Sequence, residues 1–592
     1  MSVPVEEPGA GSQATADPQG PRLDSWKEIA AHLGRDVRTV QRWEARDGLP
    51  VRRLHHSKSG SVFAYAAELD AWRNARDPRA EERRVGDAGD SAVPPGRRWL
   101  RVAGPAAAAV VVALLVLAVR AWGPGGGSTP PPLRSVAVLP LADLSATGEP
   151  AYFADGMTEA LIAHLSTASG LRVIARTSVM QFRGAKASAG EIAKTLNVDA
   201  VIEGAVHRAG TRVRVTARLI RGDTQETVWS GTYDRELPDV LTLQSEVAAA
   251  ILREVQVAVA PQPRARPGRR PVAGDVYDAY LQARFGLNKR NRTPADVQES
   301  IRLFEGVIAR DATFAPAHAG LAAAYQASGA TSIGALPVVD TIPKAAEAAR
   351  RALALDPDLG EAHRILAQAD EQAWRWSAAE SHYRSAIAVD GNDASAHLEL
   401  GAHLLYQGRA EEGLALARQG RELDPLSPDR TVRLAWLLYQ ARRYDDAIRE
   451  LQTVLAADPD QGQAMWYLGF ALIEASRVEE AVRTAEQTVA IWDRNPAALA
   501  LLARAYAAAG RRPDAARIID ELDRRGRDGY VPPAVYVQAY LGTGDSNRGL
   551  DALERACQEH SNIVRFLKTH PLFDPVRGQP RFIALSRRVG LE

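Results

Sequence analysis

The spacing of apolar and polar positions changes character several times along the chain. Residues 1–21 are rich in Pro, Gly, Ser and Ala with few large apolar groups, so they bury too little surface to order themselves. A helical period begins after Asp24. Ser25 and Glu28 have capping-box spacing at the head of WKEIAAHL, Gly34 ends that short helix, and Asp36 is placed to cap a second one in which Val37, Val40 and Trp43 form the inward stripe. VRRLHH and SVFAY then read as two short strands around SKSG, and AELDAW closes a small core with Leu69 and Trp72.

A different pattern follows. The eighteen residues from Val102 to Val119 carry no charge. At about 1.5 Å per residue they cover roughly 27 Å, enough for a bilayer core with Arg120 snorkelling and Trp99 and Trp122 at the interfaces. One transmembrane helix is therefore predicted over 99–122, between a charged linker at 77–98 and a Gly/Pro linker at 123–133. Arg79, Arg83, Arg84, Arg97, Arg98 and Arg101 precede the span, against Arg120 and Arg134 after it, so the N-terminal side is expected in the cytoplasm and the C-terminal region outside it.

From 134 to 260 buried-strand runs alternate with helical stretches. SVAVLPL is followed by a helix through MTEALIAHL and by LRVIA; a helix then precedes VDAVIEGAV, and TRVRVTARLI with ETVWSGTYDREL forms an antiparallel pair before a last amphipathic helix. This is an α/β domain. Asp155, Gly156 and Glu159 read as a solvated first turn complementing the helix dipole rather than as a binding edge. After a Pro/Arg linker at 261–273 the pattern becomes periodic. Pro357, Gly391, Pro425 and Pro459 lie 34 apart, and Ala345, Ala379, Gly413, Ala447, Ala481 and Ala515 keep that period, as do Leu366, Leu400, Leu434, Leu468 and Leu502. Small residues where helices touch, a leucine toward a shared core and a breaker between units specify stacked helix pairs with a concave face, over 274–592 with a C-terminal cap.

Composition narrows the classes. With 46% AVILMFWYC and 24% charged residues, the chain is neither globally disordered nor a many-span membrane protein. Cys557 is the one cysteine, which excludes an internal disulfide framework and leaves it only a partner in another chain. The net charge of +1 hides one asymmetry: from Arg35 to Lys58 there are seven Lys/Arg and three acids. Arg38 and Arg42 are neighbours on the outer face of the second helix, with Thr39, Gln41 and Arg46 beside them, and Arg52, Arg53, His55, His56 and Lys58 stand in the hairpin within reach of phosphates. His318, His363 and His397 recur at one repeat position, too far apart for a single ion, and read as packing groups. No phosphate-cradling glycine loop is present, so no catalytic residue, cofactor or metal site is assigned, and fewer than a hundred residues precede the span, less than a catalytic module needs.

Three segments resemble known families. Within a domain expected over 22–76, SWKEIAAHLGRDVRTVQRWEARDGLPVRRL resembles the MerR and excisionase winged helix-turn-helix from Asp24 to Arg73, which implies that Arg38, Thr39, Gln41 and Arg42 face bases or backbone and that Arg53, His55 and Lys58 belong to a wing; Arg35 and Arg46 of the same basic face complete the expected DNA-binding set. SVAVLPLADLSATGEPAYFADGMTEALIAHLS resembles the TolB amino-terminal-like (FlgO-related) domain, which implies an envelope-associated, non-enzymatic module. The 34-residue period resembles the tetratricopeptide family, which implies a protein or peptide ligand. The layout is similar to membrane-tethered regulators of the CadC and ToxR type. It leads to the expectation of a single-pass bacterial inner-membrane protein with DNA, the bilayer (through 99–122) and a protein ligand as partners, in which homodimerisation pairs the heads on two half-sites. The alternative is a membrane-anchored tetratricopeptide scaffold whose head does not bind DNA.

Overall fold

Helix caps, turn glycines and a repeating small-residue pattern are the local devices that set the elements seen in the computed structural model, which describes residues 21–53, 62–74, 132–145, 152–255, 272–289, 292–329 and 338–592. The expected membrane span at 99–122, the linker at 77–98 and all but the last two residues of the linkers at 123–133 and 261–273 lie outside the described residues; among those described, no helix is long and apolar enough to cross a membrane. The chain divides into two compact units, Met1–Gly126 and Gly127–Glu592.

In the first unit, α1 (Trp26–Leu33) and α2 (Val37–Asp47) are joined by a three-residue turn. Ser25 Oγ accepts the Glu28 N–H at 3.3 Å, while the Glu28 carboxylate reaches back to the Asp24 N–H at 2.9 Å, so the predicted box closes one residue earlier on its second arm. Gly34 takes φ +63°, the left-handed position that ends α1. Asp36 accepts both the Thr39 N–H (2.9 Å) and its hydroxyl (2.8 Å), starting α2. β2 (Arg52–Arg53) and β3 (Val62–Tyr65) form the hairpin, and β1 (Arg22–Leu23) pairs with the other edge of β3, a strand too short to show a period in the sequence. With α3 (Ala66–Asn74) these elements enclose Ile29, Leu33, Val40, Leu49, Val62, Ala64 and Leu69, and Trp43 packs on Trp72 with ring centroids 5.6 Å apart.

The second unit opens with β4 (Ser135–Val138), β5 (Ala142–Asp143), α4 (Tyr152–Ser166), β6 (Arg172–Val173), α5 (Arg176–Val179), α6 (Ala189–Leu196), β7 (Ala200–Ala209), β8 (Arg212–Arg221), β9 (Thr227–Glu236) and α7 (Val240–Glu254). The sheet order is β6-β4-β7-β8-β9, parallel across β6-β4-β7 and antiparallel from β7 to β9, with β5 beside β7. Because successive side chains point to opposite faces, Val136 and Val138 join one core with Met157, Leu161 and Val247, while Ala137 and Leu139 join another with Ile174, Ile192 and Leu196.

Eight helix pairs follow among the described residues: α8 (Gly274–Leu287) with α9 (Pro294–Arg310), α10 (Ala315–Ser328) with α11 (Val338–Leu355), α12 (Gly360–Gln372) with α13 (Trp376–Val389), α14 (Ala394–Tyr406) with α15 (Ala410–Leu423), α16 (Pro428–Gln440) with α17 (Tyr444–Ala457), α18 (Gly462–Glu474) with α19 (Val478–Ile491), α20 (Pro496–Ala508) with α21 (Arg512–Asp528), and α22 (Pro533–Gly542) with α23 (Ser546–Gln558). The periodic residues sit where the pairs close: Ala379, Ala447 and Ala481 are fully buried, and Gly401 meets Gly413 across α14 and α15.

Two expectations change here. The linker reading implied an α/β domain held apart from the array, yet one hydrophobic core runs from Leu133 and Val136 through α4 and α7 to Val276, Leu281, Phe304 and Phe314. Gly156 permits this, since a Cβ there would lie 2.5 Å from a Leu281 methyl. The C-terminal cap is also more than an end piece. Two 3-10 turns (Asn562–Phe566 and Pro571–Val576) and α24 (Pro580–Arg588) turn back along the array as far as Gln372, Trp374 and Trp376.

Candidate functional site

The first unit presents α2. Its inward stripe fixes which side is left over: Arg35, Arg38, Gln41, Arg42 and Arg46 are exposed, and none of the four arginines has an ion-pair partner among the described residues. Thr39 is half-buried with its hydroxyl given to Asp36, so it acts in the cap. Arg52, expected to reach outward, pairs with Glu68 at 2.7 Å and lies over the Tyr65 ring. Arg53 stands in β2 opposite Val62; His55 and Lys58 lie outside the described residues.

In the second unit the α/β domain is fastened to the array through polar groups that the sequence reading left in solvent. Asp155 is buried and pairs with Arg176 and Arg183. Glu159 accepts hydrogen bonds from Arg284 of α8 and from Asn288 (2.8 Å), and Arg284 also pairs with Glu361 of α12 at 2.9 Å. Burial alone would push the Glu159 carboxyl up, but Arg284 and Arg176 hold it below the ordinary carboxylate value. Glu159 thus belongs to a joint with the array and Asp155 to an ion-pair cluster inside the α/β domain, and neither stands in a solvated helix start. Arg208 of β7 adds a bidentate pair to Asp278 of α8 (2.7 and 2.8 Å), and Gln244 of α7 donates to the Tyr277 hydroxyl at 2.6 Å.

Further along the array, inter-repeat loops grip the other end of the α/β domain. Asn392 accepts the Val173 N–H at 2.9 Å and donates to the carbonyls of Ser166 (3.1 Å) and Leu171 (2.9 Å), so one side chain satisfies three backbone groups. Ser178 donates to the fully buried Asp424 (2.7 Å) and accepts the Leu426 N–H (2.9 Å), and the Ala175 N–H bonds the Leu423 carbonyl. Pattern reasoning missed this because both loops look like ordinary polar breaks.

The first helices of several pairs carry contacts to the C-terminal segment. On α16, Leu434 and Leu438 turn toward α15 and α17, whereas Trp436, Tyr439 and Gln440 meet the C-terminal segment. Phe566 packs on Tyr406 and Trp436 with centroids 4.8 and 5.6 Å away, and His570 sits among Trp436, Tyr439 and Phe470. His570 Nδ1 accepts the Leu572 N–H, and burial together with Arg504, Arg577 and Arg442 holds the imidazole well below its usual pKa. Glu371 pairs with buried His403 at 2.9 Å and with Arg565 of the tail at 3.3 Å. Nearer the first repeats, among the described residues, a cavity of about 300 Å³ is lined by Arg284, Leu287, Asn288, Arg292, Ala323, Gln326, Ala327 and Glu361.

The recurring histidines hold loops. His318, His363 and His397 each place Nε2 about 3 Å from the carbonyl six residues upstream, at Ala312, Pro357 and Gly391. Cys557 is buried in α23, and burial pushes its thiol up to about 11.

Tetratricopeptide repeat models match residues 371–428, 432–497 and 472–539. The helical array is a tetratricopeptide array, of the kind that binds protein or peptide partners. A curated protein, putative adenylate cyclase 3 of Rhizobium meliloti (strain 1021), is 36% identical over 203 residues, which are 33% of this chain and 34% of that protein. The chain thus spans about a third of the length of the curated relative it matches. Similar solved structures include PilF of Pseudomonas aeruginosa (22% identity, TM-score 0.30, covering 36% of this chain and 93% of that one). Another is PilW, a type IV pilus biogenesis factor (17%, TM-score 0.32, 36% and 94%). A third is YrrB, a tetratricopeptide protein with an unusual peptide-binding site (16%, TM-score 0.26, 33% and 95%).

Proposed function

We propose that this chain is a scaffold that gathers protein partners on a tetratricopeptide array, tied to the bacterial inner membrane through residues 99–122 with the array on the extracytoplasmic side. The observation that carries the reading is the joint: the α/β domain, read as the TolB-like module, shares a core with the first helix pairs and is pinned by Asn392 and Asp424 further along. A body held at both ends presents a fixed surface to a partner and loses little conformational freedom on binding. The open cavity beside Gln326 is where such a surface remains free. The reading assigns no catalysis to the chain, and the cyclase name stays with the Rhizobium protein.

The test is site-specific photo-crosslinking in the native cell. A photoreactive residue at Gln326 is expected to give discrete protein adducts, and the same residue at Arg418 on α15 is not; equal labelling, or none at 326, overturns the reading. Reporter fusions before residue 77 and after residue 133 check the orientation, which fails if both report one compartment.

A second reading keeps the head as a MerR-like DNA reader, so that a partner held outside would regulate transcription inside. It is favoured by four exposed arginines on or beside one helix, Arg35, Arg38, Arg42 and Arg46, that no acid neutralises among the described residues.

A further inference from the structure

A C-terminal segment of the chain lies against the first helices of several repeat pairs. Its polar and aromatic contacts join residues more than a hundred positions apart in the chain and follow the pattern of a bound peptide. Immediately before the segment, Gln372 donates to the His560 carbonyl at 2.6 Å, and the His560 ring stacks on Trp374 with centroids 4.2 Å apart. In its middle, Thr569 donates to Gln440 at 2.9 Å while His570 fills an aromatic box. Toward its end Arg442 clamps Asp574 with two bonds, and beyond it Trp376 donates to the Val589 carbonyl at 2.7 Å. Leu567, Leu572, Phe573 and Val576 are buried between these anchors. Side chains of the array thus bond backbone and side-chain groups of the segment at intervals, with apolar groups sunk between them, which is how a groove reads a peptide.

Resting on the scaffold reading above, we propose that residues 562–577 are an intramolecular ligand of the array, closing its inner face over α12 to α18 against outside partners. The partner this face fits has the same chemistry: a short turn-forming segment with a cation, two aromatic or leucine anchors and a following carboxylate, in the order of Arg565, Phe566, Phe573 and Asp574. Such a partner enters only by displacing the tail. A tethered tail competes at an effective concentration in the millimolar range, so its presence weakens a free peptide of equal intrinsic affinity by on the order of 10²–10³-fold.

The experiment uses the full chain with a protease site inserted between His560 and Ser561, cut after folding, and a fluorescent synthetic peptide of residues 561–592 as probe. The cut chain is expected to exchange its tail for the probe and bind it on the order of 10²-fold more tightly than the uncut chain. Equal binding before and after cutting overturns the proposal. So does failure of a cut chain that keeps its helical circular dichroism to take up the probe. If cutting unfolds the chain, the uncut Asp574→Arg variant serves: faster amide exchange at 562–577 must be accompanied by stronger probe binding, and exchange without binding overturns the proposal. Crosslinking from Gln326 is read in the same samples. Adducts that persist while the probe fails leave the scaffold standing and remove only the internal ligand.

Discussion

Arg442 and Asp574, 132 positions apart in the chain, meet in a bidentate pair with bonds of 2.7 and 2.8 Å. Both side chains keep more than two-fifths of their surface in solvent, so the pair is screened and is worth about 0.5–1 kcal/mol. The neighbouring Phe573 is fully buried, and truncating it removes transfer energy and leaves a cavity, about 3–5 kcal/mol. Burial therefore seats the tail and the ion pair sets its register. Amide exchange across 562–576 should show a small loss of protection in Arg442→Ala and a near-complete loss in Phe573→Ala; the reverse order would refute this division.

The repeat geometry makes a second prediction. A Cβ on Gly401 would stand 2.5 Å from the Gly413 carbonyl oxygen, and one on Gly413 would stand 2.4 Å from that of Gly401. Backbone cannot move aside as a side-chain tip can, so α14 and α15 must separate. Gly401→Ala is expected to destabilise the second unit by about 1–3 kcal/mol despite its gain in helix propensity, read as a lower urea midpoint. An unchanged or raised midpoint would show that the crossing has slack.

Much of this architecture was legible because its signals are local or periodic. Ser25, Gly34 and Asp36 punctuate two helices within a dozen residues, and the 34-residue spacing of leucines and small residues sets the array pair by pair. What stayed hidden depends on contacts between segments far apart. Glu159 looks like any acid in a first turn until Arg284 is placed beside it, 125 residues later, and the motif FLKTHPLFDP gives no sign that it will lie against Trp436. A polar loop residue such as Asn392 is indistinguishable from a turn former until the strand end it satisfies is known.

That loop also supplies a pH dependence. Burial, reinforced by the like charge of Asp393, pushes Asp390 up to about 7, although the Asn392 N–H it accepts at 2.9 Å works the other way. An unfolded Asp ionises near 3.8, so the folded form holds its proton more tightly; the stability from this group is complete below about pH 4 and is lost as pH rises through 7. Asp390→Asn should abolish that component, so the urea midpoint of the variant minus that of the parent should increase between pH 5 and pH 8. A difference that stays flat would mean Asp390 is ionised throughout.

The first unit is tested by its exposed cations. Arg38 and Arg42 lie four residues apart on α2, with Val40 between them turned into the core, so substituting either leaves the packing intact. If this helix tracks a duplex, each arginine that neutralises a phosphate releases condensed counterions. Removing one then lowers the slope of log affinity against log salt by about 1, whereas loss of a base contact costs about 1–3 kcal/mol at one sequence position and leaves the slope nearly unchanged. Salt titrations of the parent, Arg38→Ala and Arg42→Ala on genomic fragments should separate the two roles. Binding that is unaltered by both substitutions would place any nucleic-acid contact elsewhere, and a parent that shifts no fragment at low salt would leave the head to a protein partner.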